Sequence, residues 1–246
     1  MHVVNTLNPK LILALDLDDP DEAEKLVRQL KGDNPYFKVG PQLLLAGGPR
    51  LIDRLRSEGA KIFLDLKFHD IPSTVLRSSR LACGLRPYMF DVHALAGEHA
   101  MKAAASAARE IPEAERPIVL AITLLVSHDE SYLKRRFGAN ADVTSMVLEL
   151  ADDALSCGLD GIVCSASEAK EVRARFGTQL KIVCPGIRFP DGARDDYPSN
   201  RTARLGHPML DLCDYLVVGR PIVQSENPHV ALTEALRLLR SSSGGE

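Results

Sequence analysis

The stretch Asp65-Leu66-Lys67-Phe68-His69-Asp70-Ile71-Pro72 places two carboxylates and an ammonium close together, the group types needed to hold a charge pair and move a proton. If the run is a strand, residues two apart share a face, so Asp65 and Lys67 point one way and Leu66 the other. Their charges then interact. Asp70 follows in the loop, held near the rim by the stiff Ile71-Pro72 turn. A solvent-exposed ion pair would stabilise the fold little, so the pattern gains meaning from what accompanies it. Other apolar runs end in the same manner, with Asp16, Lys38, His93, Ser127, Arg188 and Gly219-Arg220. Each alone has an ordinary reading. Asp16 could cap a helix, Lys38 could snorkel to solvent, and His93 could pack beneath a site instead of acting as base or ligand. Bringing several ionisable groups to one rim costs repulsion and desolvation, and that is the pattern of a catalytic site.

Eight short β-rich runs would have to position these residues: Leu11–Leu17, Tyr36–Gly40, Lys61–Lys67, Tyr88–Ala94, Pro117–Leu125, Gly158–Ser165, Lys181–Ile187 and Asp214–Ile222. Between them helical periodicity recurs over Asp21–Leu30, Arg50–Ser57, Thr74–Cys83, Glu98–Arg109, Val143–Leu155, Ser167–Phe176 and Val230–Leu239, with the weakest segment at Met209–Cys213. Start signals stand at Asp18–Asp21 around Pro20, at Ser73 and at Ser167-Glu168. Gly47-Gly48-Pro49 reads as a turn before a helix. Runs nearly continuous in Val, Ile and Leu suit parallel strands buried on both faces. Strict alternation in 246 residues favours an α/β fold with a single (β/α)8 TIM barrel over 1–246, although an open doubly wound sheet shares much of the local pattern. Residues 241–246 read as a disordered tail. Two long connections, 126–142 and 188–206, follow strand C-termini, where barrel sites are built, and are lid candidates.

The chain is 45% hydrophobic and 26% charged with a net charge of −3, which suits a globular core and gives no basic face for nucleic acid. The start Met1–Thr6 lacks a leader pattern, and the longest apolar run, Ile118–Val126, is too short to cross a bilayer, so a cytoplasmic protein with no membrane partner is expected. Cys83, Cys157, Cys164, Cys184 and Cys213 read as reduced core residues, not metal ligands or disulfides.

The phrases Leu13-Ala14-Leu15-Asp16, Phe37-Lys38-Val39-Gly40, Asp65–Pro72, Pro185-Gly186-Ile187-Arg188 and Val218-Gly219-Arg220-Pro221-Ile222 resemble, in order, those of the orotidine 5′-phosphate decarboxylases. That resemblance covers nearly the whole chain. It implies a carboxy-lyase of de novo pyrimidine biosynthesis that converts orotidine 5′-phosphate to UMP and CO2 with no metal and no cofactor. It further implies Lys67 as proton donor to C6, Asp65 beside the substrate carboxylate, and Lys38 completing an alternating-charge network. Asp70 would join from the neighbouring subunit of a homodimer with shared sites. Asp16 and, across the interface, Thr74 would hydrogen-bond the ribose, and Ile71 would contact substrate. Ser127 would meet the pyrimidine and Pro185 would contact substrate, with Arg188, Gly219 and Arg220 near the phosphate.

This sequence departs from that family at three places. Ser73 stands for the usual Asn, Val126 for the Thr before the serine, and the lid segment Phe189–Tyr197 lacks the Gln that bridges pyrimidine and phosphate. Tyr197 or a neighbour would replace it. Two rivals stay open. A metal-dependent sugar-phosphate barrel lyase or epimerase needs acidic or histidine ligands at the rim, and a cation at Lys38 repels a divalent ion. A catalytically dead nucleotide-binding scaffold gains nothing obvious from Asp65 beside an anionic substrate.

Overall fold

The computed structural model describes residues 8–138, 140–190 and 201–242. Eight parallel strands close into a barrel: β1 (Lys10–Ala14), β2 (Tyr36–Val39), β3 (Lys61–Phe68), β4 (Met89–His93), β5 (Ile118–Ile122), β6 (Gly161–Val163), β7 (Lys181–Cys184) and β10 (Tyr215–Val218). Each pairs with its sequence neighbour in the barrel, and β10 closes the ring against β1, Lys10 opposite Tyr215. An additional pair, β8 (Ile187–Arg188) and β9 (Ala203–Arg204), stands apart from the barrel.

Alternation along each strand sorts two cores. Leu11, Leu13 and Leu15, Phe37 and Val39, and Ile62 and Leu64 pack outward in the layer shared with the helices. Ile12 and Ala14, Tyr36, Phe63, Met89, Leu120, Ile122, Val163, Val183, Tyr215 and Val217 fill the barrel. At its base the Tyr88 and Tyr215 hydroxyls lie 2.7 Å apart, so these buried phenols satisfy one another. The opposite end of the strands stays open and polar.

The helices are α1 (Pro20–Leu30), α2 (Pro41–Ser57), α3 (Pro72–Gly84), α4 (Glu98–Arg109), α5 (Glu130–Phe137), α6 (Val143–Ser156), α7 (Ala169–Phe176), α8 (Arg220–Val223) and α9 (Pro228–Ser242). Asp19 caps α1 as its carboxylate accepts the Asp21 N–H at 2.9 Å. Several details differ from the sequence reading. The turn expected at Gly47-Gly48-Pro49 is a break inside a helix that already begins at Pro41, with Gly48 at φ 64°. Ser73 does not cap α3, which starts with Pro72 at its first turn and no side-chain cap bond. The start expected at Ser167-Glu168 lies at Ser165, whose capping box with Glu168 opens a 3-10 turn, Ala166–Glu168, ahead of α7. The weak segment Met209–Cys213 is a 3-10 turn, Pro208–Leu212. The helix α9 continues to Ser242, two residues into the segment expected as a tail.

Candidate active site

Three barrel strands deliver the charged centre on one face. Asp16 continues the inward series Ile12, Ala14; Lys38 follows Tyr36; Asp65 follows Phe63. The Lys38 ammonium lies 3.0 Å from Asp16 Oδ1 and 3.1 Å from Asp65 Oδ2, and Lys67 donates to Asp65 Oδ1. The sequence Asp16, Lys38, Asp65, Lys67 is therefore a continuous chain of alternating charge. Burial would raise the Asp65 carboxyl, but Lys38 and Lys67 outweigh it and hold it down to about 2. Burial opposes charge on Lys38 too; Asp65 and Asp16 overcome it and raise the ammonium above its ordinary range.

The chain of charges borders a cavity of about 550 Å³, within the range of small-ligand sites. Asp16, Lys38, Asp65, Lys67, Ser127, Pro185, Arg188, Gly219 and Arg220 all line it. A Cβ on Gly219 would fit only tightly, 3.3 Å from Asp16 Oδ2 and 3.3 Å from the Ala14 Cβ. Gly186 adopts φ 78°, which turns the chain from Pro185 into β8. The Arg188 guanidinium donates to the Ile187 carbonyl at 3.1 Å. Asp70, Ile71 and Thr74 do not line the cavity of their own chain. Asp70 and Ile71 face solvent just past β3, with the Asp70 carboxylate accepting the Ile71 N–H at 2.6 Å. Tyr197 lies outside the described residues.

A scan against protein families matches residues 9–235 to the Orotidine 5′-phosphate decarboxylase / HUMPS family. The chain belongs to this family. It is 42% identical over 224 residues to an orotidine 5′-phosphate decarboxylase of Halorhodospira halophila, covering 91% of this chain and 92% of that one. A namesake from Legionella pneumophila is 37% identical, with 94% and 99% covered. Among solved structures, the orotidine 5′-phosphate decarboxylase of Lactobacillus acidophilus superimposes with a TM-score of 0.79 at 31% identity, over 94% of this chain and 99% of that one.

Beyond the residues that carry the family resemblance, four more shape the site. Gln42 and Gln224 line the cavity, and Gln42 is tied to Asp18. His93 is 8% exposed; its Nδ1 accepts the Leu95 N–H at 3.3 Å and its ring lies against His69 with centroids 5.0 Å apart. That is the packed reading of this histidine. Arg201 is buried and donates to the carbonyls of Leu125 and His128, both at 2.8 Å, while pairing with Glu168 at 2.9 Å. It thereby ties the end of the long connection after β7 to the Ser127 loop. Nothing local in the sequence signals that link, since the partners lie far apart along the chain.

Proposed function

We propose that this chain decarboxylates orotidine 5′-phosphate to UMP without a metal or organic cofactor. The observation that carries the reading is the Asp16, Lys38, Asp65, Lys67 chain beside a cavity that Arg188 and Arg220 also line. Breaking the bond from C6 to the carboxylate leaves an electron pair on C6 that no adjacent carbonyl delocalises as in a β-keto acid. The protein must then stabilise that charge electrostatically. Lys67 supplies the countercharge and afterwards the proton, and Asp65 lies where the substrate carboxylate would sit. The arginines suit the phosphate, whose binding energy, remote from the reacting bond, orders the site.

Within the same proposal, Asp70 and Thr74 complete the partner's site in a cytoplasmic homodimer. Their position supports it: they follow β3 directly, yet do not line their own cavity. The metal-dependent rival is disfavoured by what surrounds Asp65. Two ammonium groups occupy its two oxygens, and a divalent ion placed there would face both.

The test is an absorbance assay for loss of orotidine 5′-phosphate with exhaustively chelated protein. Turnover is expected to persist. Turnover abolished by chelation and restored by a divalent ion would favour the metal barrel, and no turnover under any condition would favour a nucleotide-binding scaffold.

A further inference from the structure

Asp91 lies midway along β4, inward-facing between Met89 and His93, and is fully buried. A carboxylate at such depth is costly unless its charge or its hydrogen bonds are met. Its Oδ1 accepts the main-chain N–H of Lys67 at 2.7 Å. Lys67 holds φ 48°, a left-handed backbone uncommon for a residue with a long side chain. The ladder is irregular at the same place. Leu64 pairs with Phe90 and the next pairing is Phe68 with Val92, so β3 carries extra residues as a bulge that presents Lys67.

Asp91 Oδ2 has no hydrogen-bond partner among the described residues, and the Asp91 carboxyl feels the charge of Asp65. Two neighbouring carboxyls can share a hydrogen bond only when one keeps its proton. Asp65 has two ammonium partners, and Asp91 has no ion-pair partner among the described residues. Burial first, and then the Asp65 charge, push the Asp91 carboxyl well above the ordinary range. A proton kept on Oδ2 would give this unpartnered oxygen a donor role toward Asp65.

We propose that Asp91 is a positioning residue for the reaction: one oxygen holds the Lys67 main chain in its bulge and the other donates to Asp65, fixing ammonium and carboxylate relative to each other before substrate arrives. Its bearing on turnover rests on the decarboxylase reading; its hydrogen bonds do not.

The test compares Asp91→Asn with Asp91→Leu. An amide keeps an acceptor for the Lys67 N–H and a donor for Asp65, whereas leucine keeps neither at similar volume. Asp91→Leu is expected to lose about 100-fold in kcat, the cost of misplacing a reacting group by about 1 Å, with KM nearly unchanged. Asp91→Asn recovers most of that loss. In substrate-free protein, the infrared carbonyl stretch of a protonated carboxylic acid disappears in Asp91→Asn. Wild-type kcat in the leucine variant, an asparagine variant as impaired as leucine, or an unchanged infrared band would each overturn the proposal. If the leucine variant does not fold, the asparagine variant's kcat and spectrum decide. Absence of orotidine 5′-phosphate turnover in the unsubstituted protein would strike the decarboxylase reading instead, because the infrared result needs no substrate.

Discussion

His93 makes a separable contribution to the acid stability of this barrel. Burial, and then the neighbouring His69, His128 and Lys67, lower its ring from 6.5 to about 4. The unfolded chain takes up a proton as pH falls through 6.5, while the folded chain refuses it until about 4. The unfolded state therefore binds more protons in that window, and stability rises with pH across it. The His93 contribution is complete above 6.5 and lost as pH falls toward about 4. That interval corresponds to about 3 kcal/mol, which solvent at the open barrel mouth cuts to about 2 kcal/mol.

The perturbation that isolates it is His93→Asn, whose amide oxygen can replace Nδ1 as acceptor of the Leu95 N–H. Urea unfolding followed near neutral pH and again at about pH 4.5 should show the parent losing about 2 kcal/mol more than the variant. Other groups are shifted as well. The His128 ring is lowered, by burial and then by Arg201, and Asp91 acts in the opposite direction because its raised carboxyl favours the folded state at lower pH. Both are common to the two proteins and cancel in the difference. Parallel stability curves for parent and variant would refute the reasoning, since they would mean that His93 takes its proton as readily folded as unfolded.

Three further expectations concern activity. Lys67→Ala should fold and still bind nucleotide, yet lose single-turnover decarboxylation by many orders of magnitude, because the C6 carbanion loses countercharge and proton source together; near-parental turnover would remove Lys67 from the mechanism. Arg220→Ala should cut turnover of the nucleotide while scarcely affecting a substrate that lacks phosphate, and equal proportional losses on both would place its role elsewhere. Inactive Lys67→Ala and Asp70→Ala proteins, mixed under conditions of proven subunit exchange, should regain activity through hybrid sites; no recovery would sink the shared-site proposal.

The inward-facing set was legible because period two survives any uncertainty about where a strand stops. Leu11–Leu17 overruns the observed β1, yet Asp16 falls on the correct face because Ile12 and Ala14 fix the phase. The same rule applied back from His93 would have reached Asp91, which the sequence reading passed over. The bulge at Lys67 is a different matter. It depends on an N–H satisfied from another strand, and no local signal near residue 67 announces it. The helix Glu130–Phe137 was hidden inside a connection read as a lid, since its one buried residue, Leu133, leaves no apolar stripe to detect. Its local signs were at the ends: Asp129, accepting the Tyr132 N–H at 2.8 Å, and Gly138 at the C-cap.

The order of charges gives the proposed reaction its direction. Asp65 stays ionised down to about 2 because Lys38 and Lys67 hold it, so a second carboxylate brought beside it meets a fixed negative charge. That repulsion is relieved only as the substrate group departs as neutral CO2. Over the same course the attraction between Lys67 and C6 grows, since negative charge accumulates on C6 as the bond lengthens. Both changes favour the transition state over the bound substrate, and interactions of that kind raise kcat, not affinity. Ground-state binding must then come from groups away from the reacting bond, a role that suits Arg188 and Arg220 in the cavity lining.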